Sequence, residues 1–153
     1  MDNKELIMNN ALDLFSREGY EGVGVMKIVT VSGVTKPTLY HYFCNKEGLL
    51  TSIYETYFNE FLEELKDVAH YEMDVMQTIK KVVKLYIDFS KANPNFFWLS
   101  NHLRRSPKGS ESYQIVRRFH SEEEVLIQTL MGHISAHHGN LKSREALLAM
   151  NLL

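Results

Sequence analysis

Cysteine occurs once in the 153 residues, at Cys44, so no intrachain disulfide can form, a pattern that suits a reducing compartment. Proline is nearly as scarce, with three residues, and glycine occurs eight times, so little of the chain is given to breaks and turns. No uncharged apolar stretch approaches the ~18 residues that a membrane span needs. The opening Met1-Asp2-Asn3-Lys4-Glu5 lacks the basic-then-apolar order of a signal peptide. A cytoplasmic protein with no membrane partner is the expectation. Internal repeats, low-complexity tracts and strand-like alternation are also missing. Formal charge is nearly balanced at −2, which argues against a protein whose whole surface is basic.

What is present is apolar and periodic. Apolar residues make up 44% of the chain, enough for a sizeable core in one compact domain or two small ones that share it. Ile7, Ala11, Leu14 and Phe15 mark one face of a first helix, and Gly19 is placed to cap it. Val25, Ile28 and Val29 suggest a short second helix ending before Gly33, and a third opens at Thr35. A fourth starts near Asn45-Lys46-Glu47 and carries Leu50, Ile53, Tyr54, Phe58, Phe61 and Leu65. After a break at 69–74 a fifth runs from Val75 to Asn93-Pro94, and a short sixth spans Asn95 to Leu103. A long seventh covers Glu111 to His138, ended by Gly139-Asn140, and Ser143 can cap an eighth. The expected class is all-α.

The distribution of charge is more telling than its sum. Between Gly22 and Lys46 there is no Asp or Glu, yet Lys27, Lys36, His41 and Lys46 lie there. A local basic window on an acidic chain suits a small nucleic-acid footprint. Val25 to Phe43 in that window reads as a helix-turn-helix, with Gly33 at the sharp turn. Thr35 can cap the third helix, and Pro37 falls in its first turn, where a missing N–H costs nothing. Leu39 and Phe43, four apart, supply a buried face; Pro37, Thr38, Tyr40 and His41 lie opposite Leu39 and are available to a groove. Thr38 and His41 can bond base edges or phosphates, Pro37 can touch a thymine methyl, and the Tyr40 hydroxyl suits a phosphate. Lys36 and Lys46 flank the helix as phosphate grips. Tyr42 is expected in the core with Phe43.

Several runs in this segment resemble one family. Ala11-Leu12-Asp13-Leu14-Phe15, Glu18-Gly19-Tyr20, Gly33-Val34-Thr35-Lys36, Thr38-Leu39-Tyr40-His41-Tyr42-Phe43 and Lys46-Glu47-Gly48-Leu49-Leu50 are similar to the N-terminal domain of the TetR family of transcriptional regulators. The resemblance covers about the first 50 residues. It implies an N-terminal three-helix helix-turn-helix DNA-binding domain, residues 1–48, joined to a helical ligand and dimerisation body, residues 49–153. It also implies DNA contacts at Thr35, Lys36, Pro37, Thr38, Tyr40, His41 and Lys46. The chain departs from the family in two places. The second helix opens on Val23 and Gly24 where a hydroxyl cap and an acid are common, and Lys27 stands as a substitute charge contact. Pro37 replaces a small residue, which should alter base preference more than affinity.

The body is aromatic. Tyr54, Tyr57, Phe61, Tyr86, Phe89, Phe96, Phe97, Trp98, Tyr113 and Phe119 can line a pocket for a small apolar effector or fill an ordinary core; both readings stay open. Glu122-Glu123-Glu124 reads as a solvated face. His133 and His137 have the spacing to share a metal, but no Cys, Asp or Glu completes the set, so exposed histidines and no metal or cofactor are expected. Cys44, beside the reading helix, is conceivable as a redox sensor. With no phosphate loop or nucleophile elbow, an enzyme is not expected. The apolar Leu147-Leu148 and Leu152-Leu153 without a polar close read as a body lacking its C-terminal end. The leading expectation is a ligand-responsive repressor that binds a palindromic operator as a homodimer. The alternative is a helical adaptor that uses the same motif for protein contacts.

Overall fold

The computed structural model describes residues 2–138, which form seven helices and, among them, no strand. These are α1 (Asn3–Glu18), α2 (Val25–Ser32), α3 (Lys36–Phe43), α4 (Lys46–Val68), α5 (Val75–Ala92), α6 (Pro94–Arg104) and α7 (Glu111–His138). The expected termination at Gly139-Asn140, the eighth helix and the apolar end lie outside the described residues. No described helix is long and apolar enough to cross a membrane.

The caps explain the boundaries. Asp74 receives the Gln77 N–H at 2.9 Å and starts α5, and Asn45 receives the Gly48 N–H at 2.7 Å and starts α4. Pro94 occupies the first turn of α6, one residue earlier than the periodicity suggests, because its fixed φ suits that position. Gly19 ends α1 with φ +79° but an extended ψ, so it stops the helix without forming the expected left-handed cap.

Helix α4 is the spine. Its 23 residues extend about 34 Å and pack on α1, α3, α5 and α7. Leu49, Leu50 and Ile53 are fully buried beside the N-terminal helices, and Phe58, Phe61 and Leu65 are buried in the body. The boundary expected after residue 48 therefore falls within the first turn of an unbroken helix, and residues from both sides join one apolar core. Each such side chain contributes roughly 1.5–3 kcal/mol by leaving water. Helix α6 packs on α1 as well as on α5 and α7, and the Asn95 amide donates to the Asp13 carboxylate of α1 at 3.5 Å.

Candidate nucleic-acid interface and body cavity

The turn between α2 and α3 is closed by backbone hydrogen bonds. Gly33 has φ +63°; its N–H donates to the Thr30 carbonyl at 3.2 Å, and the Val34 N–H donates to the Val29 carbonyl at 3.0 Å. This pair of bonds needs a left-handed residue, which glycine adopts without a Cβ penalty. Thr35 then caps α3: its hydroxyl accepts from the Thr38 N–H at 3.4 Å and shares a 2.8 Å hydrogen bond with the Thr38 hydroxyl. The Asn10 amide on α1 donates to the buried Ser32 hydroxyl at 3.2 Å, which fixes the end of α2.

The exit from α3 is tighter. Cys44 sits at φ +65°, ψ −48°, and the Asn45 N–H donates across it to the Phe43 carbonyl at 2.7 Å. That is a γ-turn with positive φ, a strained conformation for any residue with a side chain. A Cβ on Gly48 would stand 2.0 Å from the Phe43 carbonyl oxygen. The reading helix and the spine therefore meet backbone to backbone, and only glycine fits at position 48.

The face that these junctions present matches the helical wheel. Leu39 and Phe43 are buried and Tyr42 packs half-buried on the core, while Lys36, Pro37, Tyr40 and His41 are exposed and Thr38 is half-buried. The Lys36 ammonium lies 5.3 Å from the Tyr40 ring centroid, so charge and hydroxyl sit side by side. The two other lysines are occupied. Lys27 pairs with the Glu18 carboxylate at 2.5 Å. Lys46 donates to the carbonyls of Tyr20 (3.1 Å) and Val23 (3.2 Å), 4.1 Å above the Tyr20 ring. Proximity to α3 in the sequence does not reveal these partners, which lie at the end of α1 and in the loop that follows it.

The body holds a cavity of about 90 Å³ between α4, α5, α6 and α7. Phe58, Phe61, Phe89, Phe96 and Phe97 wall it, with Tyr86, Arg104 and Glu123 on its polar side. Of the aromatic set read from the sequence, Tyr54 and Phe119 are buried core, whereas Trp98 is 68% exposed and does not line this cavity.

The polar side corrects another expectation. Glu122 and Glu124 are exposed, but Glu123 between them is buried. Its carboxylate accepts from the Tyr86 hydroxyl at 2.6 Å and pairs with Arg104, with His120 Nδ1 at 3.3 Å. Arg104 also reaches His120 Nδ1 at 2.8 Å, and His120 Nε2 lies 3.4 Å from the Ser100 hydroxyl. Burial pushes the His120 ring below its ordinary value, which favours its neutral form. Burial alone would raise Glu123. The His120 contact, the Arg104 charge and the Tyr86 hydroxyl together outweigh it and hold the carboxyl low. Burial and the nearby Glu123 charge raise the Tyr86 hydroxyl, which keeps it a donor.

None of Arg104, His120 or Tyr86 stands out as a polar site in the sequence. The one available hint was that Glu123 falls on the apolar stripe of α7 with Val116, Phe119 and Leu130. His133 and His137 are exposed, and no three His, Cys, Asp or Glu side chains converge as a metal set among the described residues.

Helices α1 to α3 define a helix-turn-helix protein. Residues 7–53 match the family model described as bacterial regulatory proteins, tetR family, so the N-terminal part of the chain is similar to that family. The HTH-type transcriptional repressor ComR of Escherichia coli (strain K12) is 24% identical over 139 residues, which is 84% of this chain and 63% of ComR. The HTH-type transcriptional regulator RutR of the same organism is 30% identical over 91 residues, 60% of this chain and 42% of RutR. The chain thus spans less than two thirds of either relative. The crystal structure of the transcriptional regulator FadR from Bacillus subtilis in complex with stearoyl-CoA superposes with a TM-score of 0.74 at 19% identity, covering 97% of this chain and 79% of that one. That likeness concerns the fold.

Proposed function

We propose that the chain is a sequence-specific DNA-binding transcriptional regulator, a repressor that binds a palindromic operator as a homodimer and responds to a small effector. The observation that carries the reading is the exposed face of α3. Lys36, Pro37, Tyr40 and His41 stand out from a helix locked by buried Leu39 and Phe43, in a window without acids. Entry of α3 into a major groove would set Thr38 and His41 against base edges and Thr35, Lys36 and Tyr40 against phosphates. Lys27 and Lys46 would join them only by leaving Glu18 and the loop carbonyls, so we place them behind Lys36 in importance.

Response to an effector is supported by the position of α6, which lines the cavity with Phe97 and Arg104 and rests on α1. A guest that moves α6 would tilt the platform carrying α2 and α3, and so bias the equilibrium between DNA-competent and incompetent states. Binding of acyl-CoA by the structural neighbour is compatible with an occupied body in this chain.

The test is selection of bound sequences from random duplex DNA at several salt concentrations. An enriched palindrome with a steep salt slope is expected. No enrichment at any salt would leave the motif to protein contacts.

A further inference from the structure

The structure assigns the body cavity a ligand class: we infer that it takes a monocyclic aromatic carboxylate, its ring among the phenylalanines and its carboxylate on Arg104. The inference deepens the effector-responsive reading above and names the chemistry of that effector.

Three features lead to it. The cavity is about 90 Å³ and partly open to solvent, less than the 150 Å³ apolar cavity known to hold benzene, so a guest can be no larger than one ring and part of it must lie at the opening. The walls favour a ring over a flexible chain. Phe61 and Phe89 lie 4.9 Å apart and Phe89 and Phe96 6.0 Å apart, tilted and edge-on, which leaves faces and edges for an aromatic guest.

Charge selects the substituent. Both oxygens of Glu123 are already taken, one by Tyr86 and the other by Arg104 with His120 alongside. A cationic ligand would have to evict an arginine to reach this carboxylate. Arg104 is the opposite case. Only its Nη2 bonds a described residue, and its side chain is 43% exposed on the cavity wall. Nε and Nη1 therefore offer N–H donors in the planar fork that suits a carboxylate. Phe97, Ser100, Asn101 and Arg104 recur at i, i+3, i+4 and i+7 along one face of α6, so apolar wall and anion donor belong to one rigid element. Glu124 also lines the space, but it is exposed and screened by water.

Calorimetric titration of the protein with benzoate, benzamide and benzylammonium tests the assignment. Benzoate is expected to bind at least about tenfold more tightly than either analogue. In the double variant Arg104→Gln/Glu123→Gln, which leaves no lone buried charge, that preference should vanish while the folded state survives. If the double variant unfolds, Arg104→Lys keeps a counter-charge for Glu123 but loses the fork, and benzoate affinity should fall. Equal or tighter binding of benzamide or benzylammonium overturns the assignment, as does absence of benzoate binding up to about 10 mM or a preference that persists in a folded variant. DNA binding measured in parallel separates the two readings. Benzoate that binds without altering DNA affinity leaves the ligand class standing and removes the effector role. DNA binding without benzoate binding does the reverse.

Discussion

The Lys46 ammonium sits 4.1 Å above the ring of Tyr20 and donates to the carbonyl of that same residue. One side chain from the start of α4 thereby closes the loop between α1 and α2, and the platform under the reading helix is held from behind. Lys46→Ala should lower stability by about 1–2 kcal/mol, through two charge-assisted hydrogen bonds and a cation–π contact partly replaced by water. Thermal melts check this. The salt slope of DNA binding separates the clamp from a phosphate grip: it should stay unchanged in the variant, and a slope smaller by about 0.9 would show a lost phosphate contact.

Lys36 behaves oppositely in this picture. It is exposed, beside Tyr40. Lys36→Ala should leave the melting temperature within error, weaken binding to all sequences alike and reduce the salt slope by about 0.9. His41→Ala should instead cost about 1–3 kcal/mol on the preferred site and much less on random DNA. Titrations of both variants on the selected palindrome and on a scrambled duplex read the difference.

The γ-turn at Cys44 stores strain that glycine would relieve. Cys44→Gly is expected to hold or raise the melting temperature, whereas Cys44→Val should destabilise the fold by more than about 1 kcal/mol, because a β-branched residue fits positive φ worst. Gly48→Ala is the harsher change at the same junction, since its Cβ would meet backbone rather than a yielding side chain. It should abolish specific DNA binding before it unfolds the body.

Two tyrosines in the body make a paired test. The hydroxyl of Tyr54 is buried with no hydrogen-bond partner among the described residues, while that of Tyr86 bonds Glu123. Tyr54→Phe should be neutral or stabilising; Tyr86→Phe should cost about 1–3 kcal/mol by stripping a donor from a buried carboxylate. Urea unfolding of the two variants, at equal m-value, provides the comparison.

Acidification should destabilise the body in two stages. His120 is held below its ordinary 6.5 by burial, so as pH falls past that value the unfolded chain takes up a proton that the folded protein refuses. Stability present above pH 6.5 is lost on the way down. Glu123 is also held low, below its ordinary 4.5, and its protonation in the unfolded chain adds a second loss below that. Melting temperatures between about pH 8 and about pH 3 should trace both stages. His120→Gln should flatten the first, and an unchanged slope there would assign it to another group.

What the sequence made legible was local. The period of Ile28, Leu39 and Phe43, the cap at Thr35 and the left-handed Gly33 act within a few residues of themselves, and each could be placed from the chain alone. The contacts that joined distant segments could not. Lys46 lies 26 residues from the carbonyl it clamps, and Glu123 lies 37 from Tyr86. Runs also mislead. Phe96, Phe97 and Trp98 advance about 100° per residue, so three adjacent aromatics cannot share a face, and Trp98 turns to solvent. The same rotation carries Glu123 inward while Glu122 and Glu124 remain wet.

Helix α6 touches both the cavity and α1, and a shared element of this kind cannot transmit in one direction only. If a guest in the body weakens the grip on DNA by some factor, as proposed above, the DNA must weaken the grip on the guest by the same factor. A regulator seated on its operator would then be a poorer sensor than the same molecule in free solution. The concentration at which a cell answers its effector would depend on how many sites the protein occupies as well as on the cavity.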